Sequence, residues 1–349
     1  MAHMTNPLAT PDQLFQRRSL GALPMELQDI IFFSAQCLTQ AAGLLLQLPQ
    51  SVTAQANVLL ARYWLVDNLM AHEFSDVSAA TLYLAAKLSS HPVSPRDVAY
   101  IYAYLLSPCS AFFHDPSTPP PPPPPPPFGP ETTSSSSPPS EKNTPYLSPS
   151  GYQSFHARLL RLEGLVLAAL GFDTHVALPH PLVVTYLQAL DFFHFHHKDG
   201  SKERGKHVLA SRALAYLNTA LLSPQLLYLT HQPPALAVAA IYSAARDVGA
   251  KMPECEWWEV FDVDREELGF LVVGMRSVEG WGRKIREEMK EVMGGKDRGV
   301  VTRKDVEGEL RRRGLIAEDE IGNESKMAVD AEEEAARRLD EKMAEMESG

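Results

Sequence analysis

The sequence predicts an all-α protein made of two tandem five-helix domains. No stretch of four to eight residues alternates between apolar and polar side chains as a half-buried strand would. An Ala-rich segment also occurs twice, as TLYLAAKLSS at 81–90 and as AIYSAARDVG at 240–249, and each apolar run ends on a cation. Alanine on several sides of a helix lets its neighbours approach closely, as the central helix of a five-helix domain must allow. We therefore predict a duplication, and chance similarity between two Ala-rich helices is the alternative.

The first set of five helices is delimited mainly by proline and glycine. Proline fits the first turn of a helix, and glycine commonly follows a helix C-terminus. On this basis Pro24 begins the first helix and Gly171 ends the fifth. Ser75 or Asp76 can cap the third helix, because short polar side chains accept hydrogen bonds from the first free N–H groups. The predicted helices cover about 24–47, 50–71, 75–90, 95–106 and 153–170.

The second set of helices follows the same order. The apolar pattern predicts helices over about 180–193, 206–222, 233–248 and 264–293, with a short helix near 257–261. Asp264 and Glu267 have the spacing of a capping box, in which two side chains satisfy backbone N–H groups at the start of a helix. The third helix of this set is again the Ala-rich one, which supports the duplication.

Composition marks the segments that flank and interrupt these helices. Residues 107–150 are rich in Pro and Ser and include nine consecutive prolines at 119–127, so this insertion is expected to be disordered. After Gly294 and Gly295 the chain turns to Glu, Lys, Arg and Ala, which indicates a charged helical tail. The predicted organisation is a first domain at 23–173 that contains the insertion, a second domain at 174–294 and a tail at 295–349.

Charge and motif content exclude several classes of function. The formal net charge of −11 gives no general attraction to polyanions, so direct nucleic-acid binding is not expected. No apolar run reaches the roughly 20 residues of a membrane span. His194–His197 (HFHH) has no nearby cysteine or paired carboxylate, so we expect no metal site. No phosphate-binding loop, nucleophile elbow or zinc-protease motif occurs, so we expect a non-catalytic protein without a cofactor.

Two charged residues stand on apolar helix faces. Lys87 follows Tyr83 and Leu84 by one turn in a helix otherwise built of Ala and Leu. Glu163 shares its face with apolar residues four positions before it and three, four and seven positions after it. An unpaired buried charge costs several kcal/mol, so Glu163 requires a partner or a special environment. The alternative is that Lys87 only favours a helix C-terminus while Glu163 lies at the solvent edge.

At these residues the sequence resembles the cyclin family, and most closely the transcription- and splicing-associated cyclins of the L type. The resemblance is carried by LAAKLSS at the end of the third helix and by QAAGLLLQLPQ at 40–50. It is also carried by RLEGLVLAALGFDTHVALPHPLVVTYLQAL at 161–190 and by AIYSAARDVG. It implies two cyclin boxes and an activating, non-catalytic subunit that forms a heterodimer with a cyclin-dependent kinase. It further implies a nuclear protein that acts in RNA polymerase II transcription and pre-mRNA splicing.

The resemblance also assigns kinase-contacting residues. It implies that Lys87 and Glu163 pair and contact the C-helix of the kinase. Apolar side chains are implied to cover that helix at Leu84, Leu88, Leu167 and Phe172. The chain departs from the family where two acidic residues usually follow the lysine, because it has Ser89 and Ser90 there.

Three Ser/Thr-Pro steps in the insertion are phosphorylation candidates, because cyclin-dependent kinases prefer a proline after the acceptor. They are Ser137, Thr144 and Ser148. Two other functions remain open at this point. One is an adaptor like transcription factor IIB, which has the same double five-helix fold but should present basic DNA-facing helices. The other is a scaffold that binds no kinase, which would not need Lys87 and Glu163.

Overall fold

The computed structural model describes residues 5–19, 23–107, 110, 147–192, 200–294 and 300–315. In these ranges the chain forms twelve α-helices and one 3-10 helix, and no strand. The helices are α1 (Pro11–Ser19), α2 (Met25–Leu45), α3 (Gln50–Val66), α4 (Phe74–Leu88), α5 (Pro95–Leu106), α6 (Pro149–Ala169), α7 (His180–Ala189), α8 (Gly200–Ala220), α9 (Leu227–Thr230), α10 (Pro233–Val248), α11 (Arg265–Val292) and α12 (Arg303–Arg312), with the 3-10 helix at Trp257–Phe261. The predicted all-α class is confirmed, and the order of the helices is consistent with the predicted two-domain layout.

In the first domain, α4 lies at the centre and packs against α2, α3, α5 and α6. Its small residues are fully buried, among them Ala79, Ala80 and Ala85, so the neighbouring helices approach its backbone closely. The polar side chains on α4 are also satisfied: the Ser78 hydroxyl lies 2.7 Å from the hydroxyls of both Thr39 and Tyr102. The Ala-rich helix therefore has the central position that the sequence predicts.

In the second domain, α10 takes the corresponding position. It packs against α7, α8 and α11, and also against α9 and the 3-10 helix. Ala237, Ala239, Ala240 and Ala244 on α10 are fully buried. The helix ends at Gly249, which adopts the left-handed conformation with φ of 68°.

The start of α4 differs from the prediction. Its N-cap is Glu73, and neither Ser75 nor Asp76 caps it. The helix begins earlier because Phe74 is fully buried and joins the core as the first helical residue. Asp76 instead lies in the first turn, where its carboxylate accepts a 2.8 Å hydrogen bond from Arg158 Nε on α6.

The start of α6 lies four residues before the predicted one, inside the segment assigned to the insertion. Ser148 is the N-cap, and its Oγ accepts a hydrogen bond from the backbone N–H of Gly151 at 3.1 Å. Pro149 then occupies the first turn, where a missing N–H has no consequence. The serine–proline pair is therefore the start of a helix. It was not predicted, because the composition of the surrounding Pro/Ser-rich stretch indicates disorder.

The predicted capping box at the start of α11 is not formed. Asp264 is the N-cap residue, but its side chain makes no capping hydrogen bond. A complete capping box is present instead at the start of α12, between Thr302 and Asp305. Helix α12 belongs to the segment that the sequence assigned to the charged tail, yet Val306 and Leu310 are buried in the core. The segment before α12 also pairs with the first domain, because Val301 N–H donates to Ser34 Oγ at 3.1 Å.

The two domains are joined through α3 and the N-terminal segment. The connection after α6 runs along α3, where Gln55 and Arg62 donate hydrogen bonds to the backbone carbonyls of Thr174 and His175. Asn6 is buried beside this connection and bonds to both sides of the boundary, including Gln232 just before α10. Among the described residues, no helix is long and apolar enough to cross a membrane.

Candidate functional site

Lys87 and Glu163 form an ion pair where α4 and α6 pack together. Lys87 lies in the last turn of α4, and its Nζ donates a hydrogen bond of 2.9 Å to Oε1 of Glu163 in the second half of α6. A second ion pair, between Arg158 and Asp76, joins the same two helices at the start of α4. The pairing of Lys87 with Glu163, which the sequence only implied, is present in the structure of the free chain.

The two members of this pair differ sharply in exposure. The Glu163 side chain is 9% exposed, whereas the Lys87 side chain is 56% exposed. The hydrogen bond and the negative charge of Glu163 raise the pKa of Lys87 above its ordinary value, so the lysine stays cationic at neutral pH. The lysine Nζ also lies 5.7 Å from the centre of the Tyr83 ring, within cation–π range. The lysine therefore covers the carboxylate and presents its own charge to solvent.

Apolar side chains surround the pair on the protein surface. Leu88 follows Lys87 and is 53% exposed, and Leu167 lies one turn after Glu163 and is half-buried. Leu160, three residues before Glu163, lies on the same face of α6 and is 44% exposed. Leu160 was not predicted as a site residue, although its spacing from Glu163 is a sufficient signal. A buried carboxylate with exposed leucines on both sides forms a surface suited to an apolar partner with a polar anchor.

Leu84 does not belong to this surface. It is only 2% exposed and lies in the core of the first domain. Its position on the central helix α4, one turn before the exposed end, explains the difference. We therefore assign Leu84 to the support of α4, and no longer to direct contact with a partner.

Phe172 is exposed just beyond the C-terminus of α6. Its N–H donates to the carbonyl of Leu167 at 2.9 Å, and Gly171 and Phe172 both have positive φ, at 57° and 63°. A left-handed conformation costs a residue with a side chain roughly 1–2 kcal/mol. Phe172 pays this penalty while its side chain remains 73% exposed, so it gains little from the core in return. Such strain combined with exposure is typical of interaction sites.

Ser89 and Ser90 replace the acidic residues of the cyclin pattern. The Ser89 hydroxyl donates to the carbonyl of Ala86 at 2.8 Å, and the same oxygen accepts from the backbone N–H of His91 at 2.9 Å. Ser89 therefore closes the end of α4. This edge of the surface carries no negative charge from either residue.

The remaining predicted site residues are placed only in part. Ser148 is exposed at the N-terminus of α6. Ser137 and Thr144 lie outside the described residues, as does His194–His197. In the parts of the chain that the structure describes, no group of three or more His, Cys, Asp or Glu side chains could hold a metal ion.

Comparison with known proteins shows similarity to cyclins L1 and L2. Human cyclin-L2 is 29% identical over 232 residues, which cover 66% of this chain and 36% of that protein. Chicken cyclin-L1 is 28% identical over 232 residues, and zebrafish cyclin-L1 is 26% identical over 230 residues. The chain thus spans little more than a third of the length of these relatives. No family model matches the chain.

Solved structures show the same fold at low sequence identity. A chain in the crystal structure of the yeast RNA polymerase II CTD kinase CTDK-1 complex aligns with a TM-score of 0.57 at 11% identity, covering 89% of this chain and 84% of that chain. A chain of the CAK complex from Chaetomium thermophilum bound to ATP-γ-S aligns with a TM-score of 0.53 at 13% identity, covering 90% and 92%. These alignments confirm the cyclin fold, and the relatives confirm the resemblance to the L-type cyclins.

Proposed function

We propose that this protein is the activating, non-catalytic subunit of a cyclin-dependent kinase. The observation that carries the proposal is the Lys87–Glu163 ion pair, half in solvent and half buried, beside the exposed side chains of Leu88 and Leu160. Phe172 is also exposed, just beyond the C-terminus of α6. A protein with no partner gains nothing from exposing these apolar groups around a buried carboxylate. The similarity to cyclins L1 and L2 supports a kinase as that partner.

The mechanism needs no catalytic group from this chain. Phosphoryl transfer requires a lysine–glutamate pair between the third strand and the C-helix of the kinase, which forms only when that helix is swung in. Leu88 and Leu167 would cover the apolar side of the helix, and Lys87 with Glu163 would bind its polar end. A subunit that binds only the swung-in state shifts the kinase population toward it. A shift from about 1:99 to 99:1 requires roughly 5.5 kcal/mol of differential affinity.

We further propose that the complex acts in the nucleus on transcription and pre-mRNA processing. The support is similarity alone: the relatives are L-type cyclins, and one structural neighbour comes from an RNA polymerase II CTD kinase complex. The adaptor like transcription factor IIB has weaker support, because the formal net charge of −11 disfavours DNA.

The test is affinity capture of kinases on the purified full chain, followed by an activity assay. We expect mass spectrometry to identify a cyclin-dependent kinase among the captured proteins. In the activity assay, this kinase should phosphorylate a protein substrate only when the chain is added. The chain alone with ATP should transfer no phosphate. Capture of no such kinase from a nuclear extract, or phosphate transfer by the chain alone, would contradict the proposal.

The active complex should also phosphorylate the chain itself at Ser137, Thr144 or Ser148. The bound kinase would be held beside these residues at high effective concentration. Ser148 is exposed at a helix N-terminus, where a phosphate group is electrostatically favoured. Ser150 is an internal control, because it is exposed two residues away but is followed by Gly151 and not by proline. If mass spectrometry finds none of the three sites modified while a separate substrate is phosphorylated well, this prediction is wrong.

A further inference from the structure

A polar groove lies between the two domains, on other elements than the Lys87–Glu163 surface. It encloses about 860 Å³, within the usual size range of ligand sites. Its walls come from α8 and α11 of the second domain, from Asp247 at the end of α10, and from Phe33 of α2 in the first domain. The first domain contributes Phe33 to the lining, and every charged lining residue belongs to the second domain.

At one end of the groove, Asp247 holds two arginines in place. Its Oδ2 accepts hydrogen bonds from Arg212 Nε at 3.1 Å and from the Tyr216 hydroxyl at 2.6 Å. Its Oδ1 accepts from Arg276 NH1 at 2.9 Å. Each guanidinium has five N–H donors, and the Asp247 carboxylate engages one donor of each arginine. The remaining donors of Arg212 and Arg276 are therefore oriented in advance beside the groove.

Along the groove, α11 presents a row of charges. Arg276, Glu279, Arg283 and Arg286 are spaced three or four residues apart, so they lie on one face of the helix. Arg283 pairs with Glu279 at 2.6 Å, whereas Arg286 forms no ion pair with another residue that the structure describes. Ten residues of α-helix separate Arg276 from Arg286, which corresponds to about 15 Å.

The charge of this groove is opposite to that of the whole chain. Four arginines and two carboxylates line it, for a net charge of +2, whereas the chain carries −11. Apolar side chains, including Met275 and Val278, complete the lining. A cationic groove on an acidic protein concentrates anionic ligands locally and disfavours cationic ones.

We propose that this groove binds an extended acidic peptide segment of another protein. A single small anion would meet only one or two of the arginines, because the row is about 15 Å long. An extended peptide rises about 3.3 Å per residue, so about five residues span the row and alternate side chains face it. Carboxylates or phosphates on those alternate side chains match the guanidinium donors, which bind such groups through paired hydrogen bonds.

The test is fluorescence anisotropy on the full chain with a labelled peptide of alternating Glu and Ser about twelve residues long. A peptide with Gln in place of Glu is the uncharged control.

The double variant Arg283→Glu/Arg286→Glu should lower affinity for the Glu peptide about tenfold or more, since like charges repel across a shared groove. Lys284→Glu is the matched control on the same helix. Lys284 is exposed and does not line the groove, so this variant should change affinity by less than about twofold.

Four outcomes would overturn the assignment. Equal binding of the Gln and Glu peptides would show that charge is not recognised, and equal loss in Lys284→Glu would show a nonspecific effect of net charge. If inorganic phosphate displaces the labelled Glu peptide when both are at the same concentration, the groove is a simple anion site. Weak binding that strengthens about tenfold when Glu332, Glu333 and Glu334 are replaced by Gln would show that the chain's own acidic segment occupies the groove.

Discussion

Glu163→Ala and Lys87→Glu should each weaken binding to the kinase partner by about 2–5 kcal/mol, which is roughly 30-fold or more in Kd. Glu163→Ala removes the carboxylate that holds Lys87 at 2.9 Å, so the lysine loses its fixed position beside Leu88. Lys87→Glu places a second negative charge next to a carboxylate that is only 9% exposed. Isothermal titration calorimetry and the kinase activity assay would measure both losses.

The two variants should differ in their effect on the stability of the free protein. After Glu163→Ala the lysine keeps its water contacts, because it is already half exposed, so the free energy of unfolding should change little. Lys87→Glu should lower the free energy of unfolding, since it leaves the buried Glu163 carboxylate beside a like charge. Loss of binding in Glu163→Ala at unchanged thermal stability therefore isolates the interface from the fold.

Arg158→Ala is the matched control for this pair. It removes an ion pair between the same two helices, but Arg158 lies about 140° around α6 from Glu163. It should leave kinase affinity within about twofold while removing a partner of Asp76. If Arg158→Ala weakens binding as much as Glu163→Ala, or if both Glu163 and Lys87 variants bind as the parent does, the assigned surface is wrong.

The helices of the two five-helix sets were predictable because local chemistry fixes them, whereas α1 and α9 were not predicted. Pro233 and Gly249 bound α10 as the sequence predicts, and the alanines of α4 and α10 are buried because a central helix must accept neighbours on several sides. Asp264 shows where local chemistry is insufficient. Its spacing from Glu267 permits a capping box, but the side chain makes no such bond in the folded chain. The spacing of two residues shows only that a capping box is possible. Tertiary contacts decide whether the capping box forms.

The candidate site was predictable to a similar degree. The charges at Lys87 and Glu163 stand out against apolar neighbours, and a buried carboxylate needs a partner. That Lys87 is this partner was implied only by the resemblance to cyclins. The burial of Leu84 was not predictable, because the packing of α2, α5 and α6 against α4 decides which of its turns are covered. The groove beside Asp247 could not be predicted from the sequence either, because Arg212, Asp247 and Arg276 come from three different helices.

One buried residue that was not predicted from the sequence helps to join the two domains. Asn6 precedes the first helix and is 5% exposed. Its Nδ2 donates to the carbonyl of Ala177 at 2.8 Å, and its Oδ1 accepts from the N–H of Ala177 at 2.7 Å. Its backbone N–H and C=O pair with the side-chain amide of Gln232, each at 3.0 Å. Asn6 therefore bonds to the connection after α6 and to the start of α10 at once.

We expect Asn6→Ala to lower the free energy of unfolding by about 2–4 kcal/mol. The alanine would leave the buried N–H and C=O of Ala177 without their partners, and an unsatisfied buried group costs about 1–3 kcal/mol. It would also remove the Oδ1 that accepts from Arg62, a residue only 8% exposed. Chemical denaturation followed by circular dichroism would measure the change.

Asn68→Ala is the matched control, because Asn68 is exposed and its Oδ1 accepts only a local N–H, from Met70. That variant should change the free energy of unfolding by less than about 0.5 kcal/mol. A loss below about 0.5 kcal/mol for Asn6→Ala would mean that water replaces these bonds and that Asn6 does not help to hold the domains together.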